Sequence, residues 1–196
     1  DDKQAVYWYT KGAEQGHARA QFFLGSLYQE GKGVPQDDKQ AVYWYTKGAE
    51  QGHADSQYFL GTLYEKGKIV PQDDKQAVYW YTKWAEQGHA DAQYLLGNLY
   101  EEGKIVPQDD KQAVYWYTKA TEQGHVDAQL RLGVIYWFEE GSLKDLVEAY
   151  AWFNVSAAQG NERSREARDL VAEEMTPGQI EKAQELSKVY YKKYVK

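Results

Sequence analysis

The stretch Asp37-Asp38-Lys39-Gln40-Ala41-Val42-Tyr43-Trp44-Tyr45-Thr46-Lys47 occurs four times, beginning also at Asp1, Asp73 and Asp109. The spacing is 36 residues each time, without slippage. A fixed period of that length marks an array of supersecondary units. Period alone also fits a propeller, so local signals must arbitrate. Within residues 37–72, Ala41, Trp44, Tyr45 and Ala49 fall at i, i+3, i+4 and i+8, an apolar stripe along a helix. Asp37 or Asp38 supplies an N-cap carboxylate for this helix A, and Gly52 ends it. Helix B is expected from about Ala54 to Lys66, with the stripe Ser56, Leu60, Gly61, Leu63 and Tyr64 and with Gly67 as terminator. Pro71, in the loop KIVPQD, blocks continuation. No strand-like alternation interrupts the pattern. Each unit therefore reads as a helical hairpin, which can bury its stripe only against neighbouring hairpins.

Gly61 and its copies Gly25, Gly97 and Gly133 lie inside helix B. An interior glycine costs about 1 kcal/mol against alanine, so its repetition predicts close helix approach there. A fifth, diverged copy stays in phase: Ala149, Trp152 and Gly160 follow Ala113, Trp116 and Gly124 by 36 residues. The segment WFEEGSL before it is expected to lengthen one helix and shorten the next loop. Tyr115, Lys119 and Glu122 become Ala151, Val155 and Ala158 in this copy, which predicts that a terminal helix covers that face. Thr176-Pro177-Gly178-Gln179 has the form of a capping box, and Ile180, Ala183, Leu186, Val189 and Tyr190 follow at helical spacing. No matching N-terminal cap is visible, and the chain starts at Asp1 rather than Met. Both features point to a processed or trimmed product, with upstream repeats and an upstream signal left open.

Composition removes several function classes. The 196 residues contain no cysteine, which rules out a disulfide framework and any Cys-based zinc or redox site. The net charge of −7 disfavours general nucleic-acid binding, because phosphates repel an acidic surface. No apolar run approaches the roughly 20 residues of a membrane helix. Aromatics at 15%, led by 18 Tyr and 7 Trp, supply too much buryable surface for a disordered chain. The tail KVYYKKYVK is basic and aromatic, and it reads as the solvated end of the capping helix.

One copy carries the pattern Ala77, Trp80, Tyr81, Lys83, Ala85, Glu86, Gln87, Gly88, His89, Ala90, Ala92, Gln93, Leu96, Gly97, Leu99, Tyr100, Gly103, Val106. This pattern resembles the Sel-1-like repeat family, a relative of the tetratricopeptide family. The resemblance covers residues 1–144 well and 145–174 loosely, and the ending EAYAWFNVSAAQGNERSREARDL is similar to that of many bacterial members. It implies a scaffold or adaptor for other proteins. It also favours the bacterial envelope, periplasm or secretion, while the residues themselves leave the compartment open. The whole chain thus reads as an all-α, right-handed α/α superhelical solenoid of 36-residue helix–turn–helix repeats. The hairpins are 1–36, 37–72, 73–108, 109–144 and a diverged 145–174, with 175–196 as a C-terminal capping helix.

Little in the sequence points to chemistry. His17, His53, His89 and His125 occupy one repeat position at the A–B turn, one repeat apart and too far from each other to share a metal ion. They are expected to bond a helix end. His53 with Asp55, or His89 with Asp91, lacks the recurring Ser or Cys that a catalytic triad needs. The Asp37–Asp38 pair and its copy Asp109–Asp110 are expected to cap. No catalytic residue, metal ligand or cofactor is therefore assigned. An enzymatic alternative comes from the resemblance, since cysteine-rich solenoids of the family bind or slowly hydrolyse β-lactams, and a peptidoglycan fragment would be a related ligand. Against it stand the missing cysteines and the absence of any Ser-x-x-Lys.

A partner is expected on helix A, opposite its buried stripe. Tyr7, Tyr43, Tyr79 and Tyr115 recur there, with Lys47 and Lys83 beside them. Tyrosines bury large area at low rotamer cost and keep a hydroxyl to bond. A spaced ladder suits an extended or helical peptide, with packing against neighbouring repeats as the alternative use of the same rings. Trp84 replaces the Gly12, Gly48 or Ala120 of other copies, and it either fills a local gap or projects as an anchor. Trp137 and Phe138 either pack under the shifted loop or form an exposed patch. A further alternative is self-association of a structural array through its uncapped N-terminal end.

Overall fold

The computed structural model describes residues 1–138 and 145–195. Part of the segment WFEEGSL, and with it the expected helix extension and loop shortening, lies outside the described residues. Everything ordered within the described residues is helical. The A helices are α1 (Asp2–Glu14), α3 (Asp38–Glu50), α5 (Asp74–Glu86), α7 (Asp110–Glu122) and α9 (Leu146–Ala158). The B helices are α2 (Ala18–Glu30), α4 (Ala54–Lys66), α6 (Ala90–Glu102), α8 (Val126–Phe138) and α10 (Glu162–Glu173), and α11 (Pro177–Tyr194) closes the chain. The chain divides into two compact units, Asp1–Gln87 and Gly88–Lys196.

The helix ends follow from the repeated polar residues. Asp37, Asp73 and Asp109 each accept the backbone N–H three residues ahead at 3.0 Å, so the first aspartate of each pair is the cap. Asp145 does the same for α9 through Val147 and Glu148. His53 Nδ1 accepts from Ser56 N at 3.3 Å, and His125 Nδ1 from Ala128 N at 3.1 Å, which makes these turn histidines the N-caps of B helices. Gly52 follows α3 at φ +83° and Gly67 caps α4 at φ +63°, conformations that favour glycine. The capping box at the start of α11 is complete: Thr176 Oγ1 accepts Gln179 N at 3.3 Å, and Gln179 Oε1 accepts Thr176 N at 2.9 Å.

Each B helix packs more extensively on the A helix that follows than on its own partner, in α2–α3 and α4–α5 of the first unit and in α8–α9 of the second. Glycine makes this possible. A Cβ on Gly25 would stand 2.9 Å from the Tyr45 ring, and one on Gly133 2.5 Å from Phe153. Gly61 meets Tyr81 and Gly97 meets Tyr117 in the same way, more closely still. The aromatic ring of one hairpin packs against the bare helix backbone of the previous one. Tyr45, Tyr81, Tyr117 and Phe153 are consequently among the largest fully buried side chains. The tyrosine hydroxyls keep partners at the edge of the core: Tyr45 donates to Gln29 Oε1 at 2.8 Å, Tyr81 to Glu65 Oε2 at 2.6 Å and Tyr117 to Glu101 Oε2 at 2.5 Å. Burial pushes the Tyr45 phenol up to about 12.

A second link between hairpins is invisible in the apolar pattern. Gln57 is buried, and its Nε2 donates to Ala49 O at 3.2 Å, while its Oε1 accepts from Gln87 Nε2 at 2.5 Å. Gln21 repeats this with Ala13 O at 3.1 Å and Gln51 Nε2 at 2.6 Å, and Gln129 accepts from Gln159 at 2.7 Å. The glutamine after helix A thus reaches back to the glutamine inside the preceding helix B. The buried amides of Gln21 and Gln57 are used at both ends and so stabilise without leaving an unmade bond, whereas Gln129 uses only its oxygen and its Nε2 is buried without a hydrogen-bond partner.

In the second unit α11 lies against α9 and reaches α7. Ala151 and Val155 are fully buried, as expected for a covered face, whereas Ala158 stays exposed. The basic tail departs from expectation. Tyr190 stacks on Trp152 at 4.3 Å and Tyr194 packs on it at 5.3 Å, so part of the tail is an anchor rather than a solvated end. Tyr190 also donates to both Glu148 oxygens, at 3.0 and 2.8 Å. Burial raises the Glu148 carboxyl above the usual carboxylate range, against the opposing hydrogen bond from Tyr190.

Two sets of measurements test this packing. Gly61→Ala should destabilise the fold by about 1–3 kcal/mol through overpacking, although alanine is the better helix former. Gly178→Ala, whose Cβ meets nothing within 4 Å, should be neutral or stabilising. Urea titrations of the two variants would reveal equal shifts if the Gly61–Tyr81 contact were loose. Because the folded-state pKa of Glu148 is raised, its contribution is greatest when protonated and is lost as pH climbs through that pKa. Glu148→Gln keeps an acceptor for Tyr190, so the parent should lose stability relative to this variant as pH rises above the ordinary carboxylate range, from about pH 4 upward. A parent that gains over the variant as pH rises would contradict the assignment.

Candidate interaction surface on the A helices

The A helix has two distinct tyrosine positions, two residues apart. Tyr45 and Tyr81 are 0% and 1% exposed, whereas Tyr43 and Tyr79 are 50% and 48% exposed. Tyr7 in the first unit and Tyr115 in the second are exposed to the same degree. The alternative use of these rings, packing against neighbouring repeats, leaves about half of each ring exposed. Each exposed ring instead meets its own neighbour edge-on: Tyr43 with Trp44, and Tyr79 with Trp80, both at 4.9 Å. Lys47 Nζ lies 5.9 Å from the Tyr43 ring and Lys83 Nζ 5.8 Å from that of Tyr79, in cation–π range. The same lysines pair with Glu50 at 3.7 Å and Glu86 at 3.3 Å. These are exposed pairs with little net stabilising effect, so both groups remain available to a partner.

Between two successive A helices of the first unit this surface opens into a cavity of about 380 Å³. Its walls are Ala49, Glu50 and Gly52 at the end of α3, Gln57 of α4, and Tyr79, Trp80 and Lys83 of α5. Two of the residues singled out in the sequence, Tyr79 and Lys83, thus line a recess together. Trp84 does not line it. Its indole packs on Tyr58 of α4 at 5.0 Å, so it fills a space between hairpins of the first unit. Trp137 also turns inward, meeting Phe153 edge-on at 6.0 Å and donating Nε1–H to Glu174 at 2.8 Å, while Phe138 is left 65% exposed.

The histidines sit elsewhere. His53 stacks on Phe22 at 5.2 Å, and burial lowers its pKa, against the pull of Asp55. Asp91 lies 3.5 Å from His125 of the following hairpin, whose Nδ1 is already used as a helix cap. Among the described residues, no three His, Cys, Asp or Glu side chains gather as metal ligands would, and no helix is long and apolar enough to cross a membrane.

The Sel1 repeat model matches residues 1–17, 18–53, 54–89, 90–125 and 126–161. The chain belongs to the Sel1 repeat family. The family model cuts the same period at the start of helix B rather than helix A. Among solved structures, a Sel1 repeat protein from Oxalobacter formigenes is 42% identical over 85% of this chain and 48% of its own, with a TM-score of 0.71. The c5321 protein, a protective antigen of uropathogenic Escherichia coli with an SLR fold, is 31% identical over 99% of this chain and 57% of its own, with a TM-score of 0.52. Cysteine-rich protein B of Helicobacter pylori is 29% identical over 65% of this chain and 92% of its own, with a TM-score of 0.50. This chain spans about half the length of the first two. No curated protein matches it. The fold class is thereby that of an all-α Sel1 repeat solenoid.

The two tyrosine positions should separate on mutation. Tyr43→Ala and Tyr79→Ala should each change stability by no more than about 0.5 kcal/mol. Tyr45→Ala should cost about 3–5 kcal/mol, as for other buried aromatics. A large loss for both positions in thermal denaturation would show that the exposed rings carry the fold.

Proposed function

We propose that this Sel1 repeat chain is a non-enzymatic adaptor that holds a protein or peptide against the exposed face of its A helices. Sel1 repeat proteins are generally protein-interaction scaffolds, which sets the class. The observation that carries the finer reading is the half-exposed tyrosine recurring at one position of helix A, beside a lysine and at the rim of a recess. Evenly repeated aromatic surface that the core does not need is costly to leave in water, and it fits an interface anchor. Of the histidine and aspartate positions weighed for chemistry, His53, His125, Asp37, Asp73 and Asp109 serve as helix caps. The residues assigned to partner binding are Tyr7, Tyr43, Tyr79, Tyr115, Lys47 and Lys83. Trp84 acts from behind, by fixing the hairpin that presents Tyr79.

The test is affinity capture from bacterial cell and envelope extracts with the parent chain and the Tyr43→Ala/Tyr79→Ala/Tyr115→Ala variant. The expected result is a protein retained by the parent and lost, by at least tenfold, from a variant whose circular dichroism is unchanged. Equal retention by both would remove the partner from this face.

A further inference from the structure

The two units contain the same core cluster. In the first it consists of Ala41, Tyr45, Ala49, Leu60, Leu63 and Trp80. Two repeats further on, the equivalents Ala113, Tyr117, Leu132, Ile135 and Trp152 form the corresponding cluster. Ala120 and Ala128 of the second cluster stand where the first unit has Gly48 and Ser56, whereas Tyr194 of α11, with Tyr190 packed beside it, comes from a helix that the first unit lacks. Advanced by two repeats, the recess residues Glu50, Gly52, Gln57, Tyr79, Trp80 and Lys83 become Glu122, Gly124, Gln129, Ala151, Trp152 and Val155. At that place Tyr194 packs on Trp152 at 5.3 Å, and its carbonyl lies 3.7 Å from where a Cβ of Gly124 would stand. The recess open in the first unit is thus the site that the chain's own terminal helix fills in the second.

Resting on the adaptor reading above, we propose that the recess between α3 and α5 receives an amphipathic helix carrying two aromatic residues four apart, as Tyr190 and Tyr194 are in α11. The internal copy supplies the chemistry of the ligand. One ring stacks on Trp80 as Tyr190 does on Trp152, and the second enters between α3 and α5 over Gly52. The same comparison defines where the ligands differ. Ala151 and Val155 accept an apolar helix face, whereas Tyr79 and Lys83 stand in their positions in the first unit. The occupant of the first unit therefore carries an acidic side chain toward Lys83, in exchange for the exposed pair with Glu86. Helical stability comes mostly from packing of an amphipathic face rather than from propensity, so ordering on binding is part of the recognition.

The probe is a fluorescein-labelled synthetic peptide with the sequence of residues 177–196, titrated by anisotropy against the intact chain and a Tyr79→Ala/Lys83→Val variant. The variant gives the recess of the first unit the side chains that accept α11 in the second. Saturable binding to the parent is expected, at least fivefold tighter to the variant. It should be lost when the peptide carries Glu185→Pro, which breaks the helix, or Tyr190→Ala/Tyr194→Ala. No saturable binding to either protein overturns the proposal. So does equal affinity for parent and variant, which would place the peptide on α9 in exchange for the chain's own α11. A tyrosine-dependent partner captured as described above, together with an inert α11 peptide, would sink the helical ligand while leaving the A-helix face in place.

Discussion

The contact on which the rest of this structure depends is that between a glycine inside each of the B helices α2, α4, α6 and α8 and the ring that follows it on the next A helix. Gly61 under Tyr81 and Gly133 under Phe153 are so close that even a methyl group would need the ring to move. The helix gives up favourable propensity at that point, about 1 kcal/mol against alanine. It gains close approach to a large aromatic side chain, whose full burial stabilises by more than that loss. Because the partner ring belongs to the next hairpin, the gain exists only when hairpins are stacked. A single hairpin would carry the penalty alone. The stacking requirement of a repeat protein is thus concentrated at one atom position.

The glutamine relay complements this contact in direction and in kind. The ring is apolar and sits near the middle of helix B, whereas Gln57 and Gln87 join the hairpins near the A–B turn by hydrogen bonds. A hydrophobic contact permits sliding, and a buried amide does not, because a displaced amide loses two bonds at once. One contact therefore draws neighbouring hairpins together and the other holds their register. His53 joins the same region by capping α4 and stacking on Phe22 of the preceding hairpin.

Much of this was legible in the sequence. The period, the capping aspartates, the glycines at the helix ends and the tight approach at Gly61 all follow from local rules repeated in register. The separation of Tyr45 from Tyr43 follows from helical spacing. What escaped were interactions whose partner lies outside the repeat pattern or about one repeat away. Gln51 and Gln57 recur as regularly as the tyrosines, yet helical periodicity ranks polar residues as solvent-facing and gives no sign that a pair 30 residues apart will meet. Trp137 finds Glu174 across a diverged connection. Tyr194 finds Trp152 from a helix that has no copy elsewhere in the chain. Trp84 was undecided because a glycine-to-tryptophan change shows the volume added but not the direction, and the direction is set by Tyr58.

These constraints also explain where specificity can reside. The inward face of helix A is committed to Ala41, Tyr45 and Ala49 and to the glycine contact, and its ends are committed to caps. Variation there would break the stack. The outward face carries no such duty, so Tyr79 and Lys83 in one repeat can become Ala151 and Val155 in another without loss of the architecture. In that last repeat the change was matched by a helix that covers the apolar surface created, with Tyr190 bonded to Glu148 and stacked on Trp152. The fold thus tolerates two solutions on one frame, a polar aromatic face left open and an apolar face closed by a helix. Surface that can switch between these states by two substitutions is a surface that can be tuned to a partner without altering the hairpins that present it.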